Sequence, residues 1–240
     1  VKIEEGNKVD LDAIRMNWPG KVVRVDTLPE THPANVYLKS RGFAYKTIGK
    51  FYDVHFCVEG NKICQDRLII PIYYRGKMVG WQARAIYEVD WKQSLFPKYY
   101  TAPGTPRREI LYNIDNAAKY KTGIIVEGVT DVWKVGPQAV CTFGANMTLD
   151  QQRLFKKNFN DNNGVLFYDP DIKDAMKEKV DILCASMSKA LKSGFCSVYL
   201  QEGDAGDCTR KFLRSYITGQ AAMQGVIVDW TKRKKDATQD

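Results

Sequence analysis

Two styles of hydrophobic patterning divide the chain. Residues 67–72 are an apolar run, 75–77 carry Arg75-Gly76-Lys77, and 78–86 form a second run, which predicts two strands joined as a β-hairpin. From residue 123 the pattern changes. Short unbroken apolar runs at 123–126, 139–143, 164–168 and 196–200 predict strands. Between them lie helical patterns, one running through Lys134, one at 149–157 and one at 172–192. Strands without polar alternation are buried on both faces. Strands each followed by a helix predict a parallel sheet with helices on both faces.

The rest of the chain is less regular. Trp18-Pro19-Gly20 and Leu28-Pro29 mark turns, and a short helix is predicted over 34–40, stopping at Arg41-Gly42. Residues 97–104 read as a loop rich in turn residues, and 111–120 as a short helical return. Residues 231–240 are polar, contain Lys232-Arg233-Lys234-Lys235, and read as a linker or tail. The expected organisation is a basic α+β subdomain over 1–118, a parallel-sheet domain over 119–210, and a C-terminal helical segment with a basic tail over 211–240. No internal repeat or long low-complexity tract is visible.

Composition narrows the class. The length of 240 residues suits one domain or two small ones, and 44% hydrophobic with 27% charged residues is ordinary for a globular protein. The net charge of +8 favours binding to polyanions such as nucleic acid, although a solubilising surface would show the same excess. There are six cysteines and no CxxC. Cys141 and Cys196 fall in apolar runs, which fits a reduced, cytosolic protein. A zinc site built on Cys57 and Cys64 would have only His32 and His55 as histidine partners, so it is a minor alternative. No apolar run approaches the roughly 18 residues a membrane span needs, and no signal peptide is visible. The chain begins at Val1, which suggests a fragment of a longer protein.

The chemistry-bearing residues cluster after the predicted strands. Glu127 follows the first, with Gly128 beside it and Asp131 one turn on. Asp169 and Asp171 follow the third as Asp-Pro-Asp, and Asp204 and Asp207 follow the fourth. In open parallel sheets, ligands bind beyond the carboxyl ends of the strands. Carboxylates gathered there repel one another unless a cation lies between them. Oxygen-only donors suit Mg²⁺ or Mn²⁺, and such ions serve phosphodiester chemistry. Residues i and i+2 of an extended segment point the same way, so Asp169 and Asp171 can face one ion. Any one of these aspartates can instead be a helix cap, Asp171 in particular. Three acidic sites at three strand ends are harder to explain by capping.

The pattern resembles the TOPRIM fold shared by DnaG-type primases, topoisomerases and some nucleases. The matching residues are Ile125-Val126-Glu127-Gly128 and Phe167-Tyr168-Asp169-Pro170-Asp171, within about residues 120–210. Upstream, four segments resemble DnaG-type primases in order: Tyr37-Leu38 through Arg41-Gly42, Arg67 through Ile72, Gly80 through Arg84, and Pro97-Lys98-Tyr99 through Pro103, followed by Leu111-Tyr112. The resemblance then covers about residues 33–210 and extends to phage-encoded primases. Thr101-Ala102 departs from the family's Asn-Ser. The last acidic motif, usually G-K-D-P-D, here spaces Asp204 and Asp207 three apart, and the family's preceding zinc-binding module has no match.

The resemblance implies a nucleotidyltransferase that makes RNA primers from NTPs on a single-stranded DNA template, giving an RNA–DNA hybrid. It implies Mg²⁺ or Mn²⁺ held by Glu127, Asp169, Asp171, Asp204 and Asp207, with Glu127, Asp169 and Asp171 catalytic. Glu127 is either a ligand or a proton acceptor. Arg67, Arg84, Lys98, Tyr99 and Asp131 would contact nucleotide or template, whereas the plainer readings make Arg84 a surface strand residue and Tyr99 a core aromatic. A replicative helicase is the implied partner, no membrane is involved, and the location is the cytoplasm, that of the host if the protein is phage-encoded. A TOPRIM nuclease is the alternative. A topoisomerase would need a separate tyrosine nucleophile domain, and an inactive nucleic-acid-binding relic would not need its acidic positions filled.

Overall fold

The structure, a computed structural model, describes residues 9–87, 97–159, 162–169, 174–190, 194–203 and 205–233. The chain forms two compact units, Val1–Glu109 and Ile110–Asp240.

The first unit is built on an antiparallel sheet in the order β1 (Gly20–Arg24), β2 (His55–Gly60), β3 (Arg67–Tyr74), β4 (Lys77–Ala85), β5 (Tyr99–Thr101). The predicted hairpin is β3–β4. Tyr74 pairs with Lys77 across Arg75 (φ 49°) and Gly76 (φ 72°). Two positive φ values in a two-residue loop match the right-handed twist of the flanking strands. Pro71 cannot donate to a ladder, yet β3 lies between two strands. The conflict is resolved by register: β2 pairs with β3 only at Leu68 and Ile69, before the proline is reached.

Helix α1 (Pro33–Ser40) has Pro33 in its first turn and is capped by His32, whose Nδ1 accepts from the Ala34 N–H at 3.2 Å. Helix α2 (Tyr45–Tyr52), β1 and β2 are absent from the sequence reading. Gly49 hides α2, because glycine is a poor helix former. It stands there because a Cβ would lie 2.4 Å from the Asp26 carboxylate. The segment 97–104, expected as a loop, contains the edge strand β5. Pro97 and Pro103 flank three pairing residues and give the stretch the look of a turn.

Cys57 and Cys64 lie in a core with Ile69, Trp81, Ala83 and Ala102. Burial raises both thiols, Cys64 to about 11, so they pack as small hydrophobes. Among the described residues nothing completes a zinc site around them.

The second unit carries a four-stranded parallel sheet in the order β7 (Ala139–Cys141), β6 (Gly123–Val126), β8 (Gly164–Tyr168), β9 (Phe195–Tyr199). Its helices are α3 (Ile114–Ala117), α4 (Val129–Val135), α5 (Leu149–Phe159), α6 (Asp174–Ala190) and α7 (Arg210–Met223). Gly123 and Gly164 pair across β6 and β8. Added Cβ atoms would come within 2.7 Å of Phe155 and 2.5 Å of Phe195, so the two glycines make room for the Phe155, Phe159 and Phe195 cluster.

Three expectations shift here. Strand β7 ends at Cys141 rather than 143, because Phe143 (φ 62°) and Gly144 (φ 145°) turn the chain away. The helical return at 111–120 shrinks to α3, because Tyr112 pairs with Cys141. The start of the expected tail is packed: Lys232 bridges Tyr120, and Arg233 donates to the carbonyls of Tyr120 (2.9 Å) and Asn158 (2.6 Å). Among the described residues no helix is long and apolar enough to cross a membrane.

Candidate active site

The strand order places a crevice where the sequence led one to look. From β6 the chain moves outward to β7, then returns to β8 on β6's other side. Helical connections therefore diverge above the β6–β8 pair, and this switch point is where open parallel sheets bind ligands. Glu127 is the residue after β6 and Asp169 the residue after β8. Both line a narrow cleft with Val126, Asp131, Phe167 and Ala205.

Local hydrogen bonds fix the residues that line the cleft. Asp169 Oδ1 accepts from the Ala205 N–H at 3.1 Å, tying the 3₁₀ turn Ala205–Asp207 to the end of β8. Asp131 Oδ2 accepts from the Gly128 N–H at 2.9 Å, a cap for the first turn of α4. Gly128 itself has no side chain to return the bond. The Glu127 carbonyl accepts from the Gly144 N–H at 3.0 Å, which fixes the turn after β6 against the loop after β7.

The structure thus brings Glu127, Asp131 and Asp169 to one cleft, while Asp207 is exposed in the neighbouring turn and does not line it. Asp171 and Asp204 lie outside the described residues. Among the described residues no three His, Cys, Asp or Glu side chains form a closed metal cluster. The donor set that lines the cleft is all carboxylate oxygen, which fits a hard divalent cation.

Two supporting side chains escape sequence reasoning. Tyr168 is buried and donates to the Ala145 carbonyl at 3.2 Å. Burial first, and the Glu127 charge second, push its pKa well above the usual tyrosine value, so it remains a donor. Gln151 is buried and donates to the carbonyls of Ile110 (3.0 Å) and Thr142 (3.2 Å), bracing the same loop. The only trace of either in the sequence is a polar atom within or beside an apolar stretch.

In the first unit the basic residues differ sharply in exposure. Arg67 is 0% exposed; its Nη1 donates to the Pro97 carbonyl at 2.6 Å and its guanidinium lies 5.7 Å from the Tyr87 ring. Among the described residues its Nε and Nη2 have no hydrogen-bond partner. Arg84 is buried on β4, which departs from the surface-residue reading. Lys98 is exposed just before β5, and Tyr99 is half-buried.

Fold and cleft together define an α/β protein with an acidic crevice at a parallel-sheet switch point. No family model matches the sequence, and no curated protein does. Solved structures do. The E. coli primase catalytic core matches at 20% identity and a TM-score of 0.62, covering 85% of this chain and 76% of that one. The zinc-binding and RNA polymerase domains of Aquifex aeolicus primase match at 22% identity and 0.62, covering 79% and 56%. A DnaG primase catalytic domain bound to single-stranded DNA matches at 19% identity and 0.62, covering 85% and 76%. The chain has the fold of the DnaG primase catalytic core.

Proposed function

We propose that this chain is the catalytic core of a DNA primase, joining NTPs into short RNA primers on single-stranded DNA. The observation that carries the reading is the position of Glu127 and Asp169, one residue beyond adjacent parallel strands at the switch point of a DnaG-type fold. The net charge of +8 and the fold shared with a DNA-bound primase domain support a nucleic-acid partner.

Glu127 and Asp169, with Asp171 and the Asp204/Asp207 pair, are the residues that would hold Mg²⁺ or Mn²⁺. Such an ion supplies positive charge for the triphosphate and makes an attacking hydroxyl more acidic. In the reaction the 3′-oxygen of one nucleotide bonds to the α-phosphorus of the next, its proton is lost, and pyrophosphate leaves. Glu127 either binds the ion or accepts that proton. Tyr168 holds the loop after β7 in place beside Glu127. Lys98, exposed, pairs with phosphate oxygens, and the Tyr99 ring offers a stacking face. A replicative helicase partner belongs to the same reading.

The test is primer synthesis with labelled NTPs, a single-stranded template and Mn²⁺ or Mg²⁺. Short RNA is expected from the wild type, and none from Asp169→Ala or Glu127→Gln. Unchanged synthesis in both variants refutes the site. Cleavage of DNA without NTP incorporation replaces the polymerase reading with a TOPRIM nuclease, which would use the same carboxylates to deliver water.

A further inference from the structure

Arg84 is a cation in an unusual place for a phosphate contact. It sits on β4 opposite Tyr99 of β5 and is 4% exposed. Its guanidinium carbon lies 4.5 Å from the centroid of the Tyr99 ring and 5.7 Å from that of Tyr37. Its Nε donates to the Tyr37 hydroxyl at 2.6 Å. Tyr37 belongs to α1. One planar cation therefore joins three elements: a helix, an inner strand and an edge strand.

Strand β5 needs such a brace. It is three residues long and, among the described residues, pairs with β4 alone. Besides the ladder, it is held at one end by the Ala85 N–H to the Lys98 carbonyl (3.0 Å), and at the other by Gln82 Nε2 to Thr101 Oγ1 (3.0 Å). Arg84 acts at the end nearest Lys98, the exposed cation.

We propose that Arg84 is a positioning residue. It sets the placement of β5, and through it Lys98, without touching nucleic acid. The inference rests on the primase reading, in which Lys98 meets phosphate.

The two roles separate on a salt series, because each phosphate contact contributes about 0.7 to the slope of log K against log salt for a single strand. The probe is fluorescein-labelled oligo-dT, titrated well below the unfolding temperature. Lys98→Ala should weaken binding and flatten the slope by about 0.7. Arg84→Gln should weaken binding and leave the slope at the wild-type value. Tyr37→Phe removes only the hydroxyl that accepts from Arg84. It should weaken binding about tenfold, the order of one hydrogen bond to a charged group, again with no change of slope. A flattened slope in Arg84→Gln, or wild-type affinity in Tyr37→Phe, overturns the proposal. If Arg84→Gln does not fold, Tyr37→Phe decides alone. If the wild type does not bind the probe, the primase reading fails, and amide exchange in β5 still decides the positioning role. Faster exchange at Tyr99–Thr101 in Tyr37→Phe supports it, and unchanged protection overturns it.

Discussion

The backbone N–H of Gly128 donates to the Asp131 carboxylate at 2.9 Å, closing the first turn of α4 directly behind Glu127. Asp131 thus holds the turn that aims Glu127 as well as lining the cleft. Asp131→Ala should cost about 1 kcal/mol of stability, the usual loss for a helix N-terminal cap. Urea unfolding checks this. Gly128→Ala should cost at least as much, because its Cβ would lie 2.8 Å from the Asp131 carboxylate and push the cap aside.

Asp169 allows the metal assignment to be read without any catalysis. In EDTA, Asp169→Asn should melt no earlier than the wild type, since it removes one of several like charges and keeps an oxygen to accept from Ala205. Added Mn²⁺ at about 100 times its dissociation constant should stabilise the wild type by about 2.7 kcal/mol and the variant by much less. Differential scanning fluorimetry measures both. Equal gains in the two proteins would remove Asp169 from the metal site.

Helix α7 braces α4 from the far end. Arg210 donates to the carbonyls of Trp133 (2.7 Å) and Lys134 (3.2 Å), and Arg214 to that of Val135 (3.3 Å). These are the last carbonyls of α4, which have no partner inside the helix and favour a cation. Arg210→Ala should destabilise by about 1.5–3 kcal/mol. Arg210→Lys should recover only part, because a single ammonium cannot reproduce the planar fork. Chemical denaturation of the two variants distinguishes these outcomes.

Asp229 gives a pH signature. It accepts from Lys121 Nζ (2.8 Å), Thr231 Oγ1 (2.6 Å) and the Thr231 N–H (2.9 Å), which lower its pKa to about 2, with the Lys121 bond the largest cause. An unfolded aspartate titrates near 3.9. A lowered folded value stabilises above the unfolded pKa and is lost as pH falls through the folded one. The stability gap between wild type and Asp229→Asn should be full above about pH 4 and close toward about pH 2. Thermal melts of both proteins across that range provide the test, and a gap that does not narrow would refute it.

The parts of the site that the sequence made legible are those set by local pattern. Strands β6 and β8 are unbroken apolar runs, so the positions of Glu127 and Asp169 just beyond them could be read directly. What was hidden depends on residues distant in the chain. Arg84 in a strand looks like a surface charge until Tyr37, forty-seven positions away, encloses it. Strand β5 is masked by its prolines, and α2 by a glycine that Asp26 requires. The cap on Gly128 could be anticipated from spacing, but the bracing of α4 by Arg210 could not, since seventy-seven positions separate Arg210 from Trp133.

The clasp formed by Asp229, Lys232 and Arg233 bears on where the molecule can be cut. Resemblance at the level of motifs fades near residue 210, yet these later residues grip Tyr120, Lys121 and Thr122, the approach to β6. A fragment ended at the last recognisable motif would lose α7 and this grip together, freeing the C-terminal end of α4 and the entry to the central strand. The smallest piece expected to carry the acidic cleft on its own therefore extends through Arg233, a boundary drawn by mechanical support and not by similarity.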